Sequence, residues 1–466
     1  MAHSVNSFSR PFVAVVGFLL PLLALGGAPS LARAQLTNQY DITASPYSCV
    51  ASTSTSSADD SSCIQLAINA ASSAGGGVVW VPSGFWNLKT QVVVKPNVTI
   101  QCVGNGYVYD ANTLMASIPN YVSTGGAIFA INWGSGSGSS NTASDAAFQL
   151  QHSASIQNCG FWYPNQSATA SSPMEYGSTI LAYDSNANVH QNTIQNWCAN
   201  CYNFLDYRGS ISNIGVADML VDANFGSPIH AGLLLNFWVD WAVIRSNWWN
   251  SGGIYQADPS PSSHLRGWIA NNGIAYYLGE NTGANLDLNS AYGYYIGVEM
   301  DLATDCCSGL VTTGPFRLNN EQFDGTYYDF YYTGPGSNSV TAYPVQINGG
   351  WFTAYNPYSN ATGVVFYVAN NSKLPELTLT GLNIFGPSGN IVQACQTTLT
   401  IGNVVATSVQ ATTSYSGGAT AYALCSGSTA TLKSLTLVGD TYTGYSALYT
   451  TGQTYSQGTY VNGNFQ

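Results

Sequence analysis

One pattern recurs along this chain and most restricts what it can fold into. It consists of an apolar residue, two spacers, a small or polar residue, one spacer and a second apolar residue. It appears as Ile156-Cys159-Phe161, Val189-Asn192-Ile194, Ile244-Asn247-Trp249 and Ile269-Asn272-Ile274, and again as Leu318-Glu321-Phe323, Ile347-Gly350-Phe352 and Leu379-Leu382-Ile384. Asp218 and Leu220 fit with Gly215 in the first slot. The middle positions (159, 192, 218, 247, 272, 321, 350 and 382) lie 25 to 33 residues apart, except for one interval of 49 that is close to two periods. Such a period is that of a solenoid with three short strands per coil; propeller blades are longer and more uniform. Asn in a turn slot tolerates left-handed backbone and can stack its amide on the next coil's. A second strand pattern lies between these turns, at Gly232–Leu235, Gly253–Gln256 and Ile296–Asp301.

The segment Asp59–Leu88 supplies the start of such a solenoid. Ile64, Ala67, Ile68 and Ala71 recur at helical spacing, with Asp60 and Ser61 available to cap the helix. Gly75, Gly76 and Gly77 end it, Val78 to Val81 form an apolar strand, and Pro82-Ser83-Gly84 turns the chain. This arrangement closely resembles the N-terminal entry of the pectate-lyase-like superfamily of right-handed parallel β-helix proteins. The resemblance implies an all-β fold, a single-stranded right-handed parallel β-helix with a short N-terminal helix capping its open end. It does not choose a reaction, because the superfamily includes lyases, glycosidases, transglycosidases and phage tailspikes.

Arg10, the apolar run Phe12–Leu25 and the small-x-small site Ala32-Arg33-Ala34 read as an export signal over residues 1–34. Residues 35–466 are then one β-helix domain. Segments 105–147 and 163–178 break the period and are expected to be loop insertions; from Thr441 the chain either finishes the helix or caps it. No later stretch is apolar enough to span a membrane. The mature chain is expected outside the cytoplasm, secreted, periplasmic or at the cell surface. It carries eight Lys and Arg against 22 Asp and Glu, a net charge of −14. That balance argues against nucleic acid or an anionic membrane as partner, and makes a polyanionic glycan a less natural ligand. An even ten cysteines in an exported chain favour disulfides. Cys49 with Cys63 and Cys395 with Cys425 are plausible pairs, and Cys198-x-x-Cys201 reads as a structural bridge rather than a redox or zinc motif.

Chemistry points first to Glu299 and Asp301. In the strand from Ile296 to Leu302, Ile296, Val298, Met300 and Leu302 share one face, so both carboxylates share the other and point outward. Glu280 and Asp258 each follow a candidate strand of the same sheet, which suggests an acidic row of Asp258, Glu280, Glu299 and Asp301. Glycoside hydrolysis needs such a pair, one carboxyl protonated and one ionised, and crowding raises one pKa to supply the acid. The plainer readings of the row are a solvated polar face or a calcium site; no other cofactor is expected. Trp238, Trp241 and Trp248 are candidate platforms for sugar rings, with Tyr277 and other tyrosines as a groove wall, while Trp249 falls in a core slot of the repeat. Arg208 is the cation nearest this sheet in the sequence reading.

These features favour an exported enzyme cleaving glycosidic bonds of a neutral or weakly charged poly- or oligosaccharide by carboxylate acid/base chemistry. A lyase acting on a uronate-containing glycan is the first alternative, and a non-catalytic glycan-binding or surface-structural β-helix the second. Neither the arginine pattern of pectate lyases nor the polygalacturonase motif set is present, so no catalytic residue is carried over from the resemblance. Monomer and homotrimer are both compatible with the fold.

Overall fold

The computed structural model describes residues 38–52, 58–104, 108–109, 122–123, 125–135, 145–184, 190–208, 218–235, 241–250, 258, 260–279, 284–301, 316–333, 344–369, 373–394, 400–414, 419–424, 431–449 and 459–465. The proposed export signal and the Cys395–Cys425 pair lie outside them.

From Asn38 onward the chain winds into a right-handed parallel β-helix. Among the described residues its main strands form a 22-stranded and a 12-stranded sheet, both parallel along their main ladders. Each full coil places one strand in the smaller sheet and two in the larger, joined there by a sharp corner. The central strands of the smaller sheet are β1 (Asn203–Tyr207), β2 (Ala231–Leu235), β3 (Ile274–Leu278), β4 (Ile296–Met300), β5 (Tyr328–Tyr332) and β6 (Val364–Val368), hydrogen-bonded in that order.

Helix α1 (Ser61–Ser73) buries Ile64, Ala67, Ile68 and Ala71 against the first coil, as their spacing requires. Its start differs from expectation. The Asp60 carboxylate accepts the Asn87 backbone N–H at 2.8 Å instead of capping the helix, and Asp59 accepts Ser61 N–H at 3.0 Å. The helix is thereby pinned to the first coil. Its exit needs glycine: Gly76 has φ +124°, and a Cβ there would lie 2.6 Å from the Asn97 carbonyl oxygen.

The corner inside the larger sheet holds one left-handed residue in most coils: Asn158, Gln195, Ala223, Leu288, Asn320, Gly349, Gly381, Ser408 and Gly439. The next residue points into the core. Asn196, Asn224 and Asn289 use this slot to bridge coils. Asn196 Oδ1 accepts Cys159 N–H at 3.0 Å and Asn224 Oδ1 accepts Asn196 N–H at 3.1 Å; Asn289 Oδ1 accepts Ser246 N–H at 2.8 Å. Each amide satisfies backbone groups that the corner would leave unpaired, at about 1 kcal/mol per bond. The stacked amides are thus present, on Asn196, Asn224 and Asn289 rather than on Asn192, Asn247 and Asn272. Glu321 continues the file, fully buried, accepting the Asn289 amide at 3.4 Å through Oε1. Oε2 has no hydrogen-bond partner, and burial holds this carboxyl well above the usual carboxylate range.

The strand Trp241–Trp249 takes its corner without the extra left-handed residue, so Asp222 pairs with Arg245 but Asn224 with Ser246. Losing one residue reverses the alternation beyond the corner. Trp248 therefore enters the core, against Phe204 at 5.5 Å and Tyr276 at 5.9 Å, and Trp249 turns out to solvent. Both placements reverse the expectation for these two tryptophans. Space for Trp248 comes from Gly232, where a Cβ would meet the indole nitrogen at 2.5 Å.

Two further expectations are revised. Segment 105–147 is not wholly an insertion, because Ala127–Ile131 is a coil strand paired with Gly84–Leu88 and Gly160–Trp162. Position 272 is no corner: Asn272 ends helix α2 (Leu265–Asn272), inserted between the strand Trp241–Trp249 and β3. At the other end the chain continues the coil, with Thr459–Phe465 pairing in parallel with Thr431–Thr443. Disulfides join Cys49 to Cys63, Cys102 to Cys159 and Cys198 to Cys201.

Candidate functional site

In β4, Ile296, Val298 and Met300 are buried and Glu299 faces outward, as the alternation requires. Parallel pairing stacks equivalent positions, so Asp206, Leu234, Tyr277, Glu299, Tyr331, Tyr367 and Gln393 form one file up the smaller sheet. Adjacent coils are about 4.8 Å apart, which puts Glu299 between Tyr277 and Tyr331.

Asp301 follows β4 and extends its ladder by one bond, its N–H donating to Leu278 O at 3.0 Å. Its two carboxylate oxygens are held by neighbouring coils: Tyr277 O–H donates to Oδ2 at 2.9 Å and Thr333 O–H to Oδ1 at 3.0 Å. Glu299 is only partly exposed. Desolvation, with the charge of Asp301 as the smaller cause, pushes its carboxyl up to about 7. The two neighbouring carboxyl groups thus have different environments: one is fixed by two hydroxyl donors, the other desolvated and proton-retaining near neutrality.

Tyrosines surround the pair. Tyr331 and Tyr367 stack at 5.3 Å and 18°. Tyr328 packs on both, at 5.2 and 4.8 Å, and meets Tyr295 at 5.4 Å. Tyr295 and Tyr327 are parallel within 5° at 5.5 Å. Burial, together with the neighbouring Tyr367 and Glu299, pushes the Tyr331 hydroxyl up to about 12, so it stays a neutral donor. Behind this wall Asp329 is fully buried. That burial holds the acid well above its ordinary pKa, although Oδ1 accepts the Thr326 hydroxyl; Oδ2 has no hydrogen-bond partner.

The other sequence candidates fall elsewhere. Asp258 precedes helix α2, and the strand expected before it, Gly253–Gln256, lies outside the described residues. Its buried carboxylate accepts Ser260 N–H at 2.9 Å and pairs with His264 Nδ1 at 2.8 Å. Arg208 does follow a strand of the same sheet, β1, but its Nε and Nη2 are both bound to Asp206 Oδ2, at 3.1 and 2.9 Å. Asp206 is three coils from Glu299 along the file, about 14 Å. Trp248 is core and offers no platform. Tyr277 is where a groove residue belongs. Glu280, Trp238 and the side chain of Trp241 lie outside the described residues. Sequence reasoning overlooked Tyr331, Tyr367 and Thr333; aligning Phe330 and Tyr332 with the inward Val298 and Met300 would have found the first.

No protein-family model matches the chain, and no curated protein matches it. Among solved structures, DFA-IIIase from Arthrobacter chlorophenolicus A6 without its lid gives a TM-score of 0.54 at 13% identity, covering 86% of this chain and 94% of that one. A Cys-to-Ala mutant of the same enzyme in complex with DFA-III gives 0.53 at 14% identity, over 87% and 94%. The A-module of the Azotobacter vinelandii mannuronan C-5 epimerase AlgE6 covers 92% of this chain and 99% of that one at 13% identity, with a TM-score of 0.35 that is too low to carry an argument. With two parallel sheets, a left-handed corner in most coils and these fold matches, the chain has the right-handed parallel β-helix fold.

Proposed function

We propose that this protein is a carbohydrate-active enzyme that cleaves glycosidic bonds of a neutral or weakly charged glycan on the tyrosine-lined face of the smaller sheet. Glu299 is the general acid and Asp301 its carboxylate partner. The observation that carries the reading is the contrast between a desolvated Glu299, titrating at about 7, and an Asp301 anchored by Tyr277 and Thr333. Glu299 delivers its proton to the leaving glycosidic oxygen as the C–O bond breaks. Asp301 takes a proton from water as that water's oxygen bonds to the anomeric carbon.

Three further observations support the reading. The tyrosine faces beside Glu299 suit sugar rings. A solved structure with the same fold, a DFA-IIIase mutant, was crystallised in complex with DFA-III. The disulfides suit an oxidising compartment, in keeping with export.

The test is product analysis by mass spectrometry over a panel of neutral and acidic polysaccharides, with Glu299→Gln and Asp301→Asn as controls. Hydrolysis of a neutral glycan, lost in both variants, is the expected result. An unsaturated, ultraviolet-absorbing product would establish a lyase instead. Full turnover in both variants would remove these residues from the mechanism.

A further inference from the structure

The outer face of the larger sheet beyond the corner carries a second set of aromatic side chains, on different strands from the Glu299 groove. Parallel register stacks Asn247, Ser290, Gln322, Trp351, Asn383 and Gln410 in one outward file. Beside it run Trp249, Tyr292 and Asp324. Trp249 and Trp351 are 52% and 60% exposed, which is costly for indoles without a use.

Both rings are held in place. The Trp249 indole N–H donates to Ser290 Oγ on the next coil at 3.1 Å, and Ser290 donates in turn to Asn247 Oδ1 at 2.6 Å. The indole is therefore tied across two coils with part of its surface left to solvent. Trp351 is braced edge-on by Phe385, at 6.4 Å and 87°. The two tryptophans are three coils apart along the axis, about 14 Å. Between them lie the exposed amide of Gln322 and the hydroxyl of Ser290, with Asn383 just beyond.

We propose that this face is a second glycan-binding site, which takes a neutral polysaccharide strand laid along the helix axis across Trp249 and Trp351. Indole faces stack on the apolar faces of sugar rings, and amides at the intervening coils bond their hydroxyls. Charge selects the class: Asp324 is the one ionisable carboxylate among these side chains and the chain is strongly acidic, so a polyanion is repelled. Area selects against a second protein, because a stable interface needs about 800 Å² per partner and here the apolar rings alternate with amides and hydroxyls. Choosing a glycan rests on the reading of the chain as carbohydrate-active; the site shares no residue with that mechanism.

The test is native affinity electrophoresis of the full chain through gels containing inulin, galactomannan, hydroxyethyl cellulose or polygalacturonate, comparing Trp249→Ala, Trp351→Ala and Glu299→Gln. At least one neutral polymer should retard the wild type and Glu299→Gln equally. Each tryptophan variant should weaken that binding about tenfold while leaving turnover of a short soluble fragment unchanged. No retardation by any neutral polymer overturns the proposal, as does undiminished retardation of both tryptophan variants. Concentration-dependent dimerisation lost in Trp351→Ala also overturns it, since the face would then close on a second copy. Binding through Trp351 without cleavage of any glycan would sink the hydrolase reading and leave this site standing. Cleavage with normal binding by both tryptophan variants would do the reverse.

Discussion

Replacing Glu299 by Gln separates the chemistry of this site from its cost to the fold. The substitution keeps the shape and removes the ionisable group. The Glu299 carboxyl titrates at about 7 in the folded chain against an ordinary 4.5. The folded state thus binds this proton more tightly than the unfolded state. Its contribution to stability is complete below about pH 4.5 and is lost as pH rises through 7. At 1.36 kcal/mol per pKa unit the loss approaches about 3 kcal/mol by pH 8. Urea unfolding of wild type and Glu299→Gln at pH 4.5 and pH 8 measures it as a double difference, which cancels every other titrating group. The variant should gain about 3 kcal/mol relative to wild type between the two pH values. Hydrolysis should fall by two to four orders of magnitude, and the loss of wild-type activity above pH 7 should vanish from whatever turnover remains. Parallel stability profiles would mean that Glu299 is not desolvated, and the assignment of the acid would fall with it.

Other perturbations follow from the same geometry. Tyr277→Phe removes one of the two hydroxyl donors of Asp301 and should lower kcat about tenfold or more with little change in KM, a split read from initial rates. Gly232→Ala drives a methyl group into the Trp248 indole and the Ala275 carbonyl; unfolding in urea should show a loss of about 2 kcal/mol or more, with intact folding at wild-type stability as the contrary result. Glu321→Gln keeps a neutral group in the core but cannot ionise. Because the Glu321 carboxyl is held above its unfolded value, wild-type stability should decline as pH rises, and the variant should decline less.

Much of the fold was legible because it is written in local periodicity. The spacing of Ile64, Ala67, Ile68 and Ala71 specifies the face of α1, and the alternation Ile296, Val298, Met300 specifies that Glu299 points out. What local pattern cannot carry is a one-residue change of phase. The strand Trp241–Trp249 lacks the left-handed corner residue of its neighbours, so the parity assigned to Asn247 and Trp249 belongs to Ser246 and Trp248. Asn272 matched the turn pattern across an element boundary: Ile269 lies in α2, Asn272 ends it, and Ile274 begins β3. Asp258 is set apart in sequence from β3 by the α2 insertion, and its buried carboxylate is engaged by Ser260 and His264. Thr333 was invisible, since its role depends on a hydroxyl from the next coil reaching Asp301, a contact between residues 32 apart.

The central claim is that neighbouring coils create a carboxyl group at Glu299 that holds its proton near neutrality beside an anchored Asp301. Its most direct test is a carbon-13 NMR titration of chain labelled at the glutamate side-chain carboxyl, with Glu299→Gln identifying the signal among the five glutamates. A midpoint near 7 in wild type that moves down in Asp301→Asn is the result this account requires. A midpoint in the ordinary glutamate range, unmoved in Asp301→Asn, would contradict it.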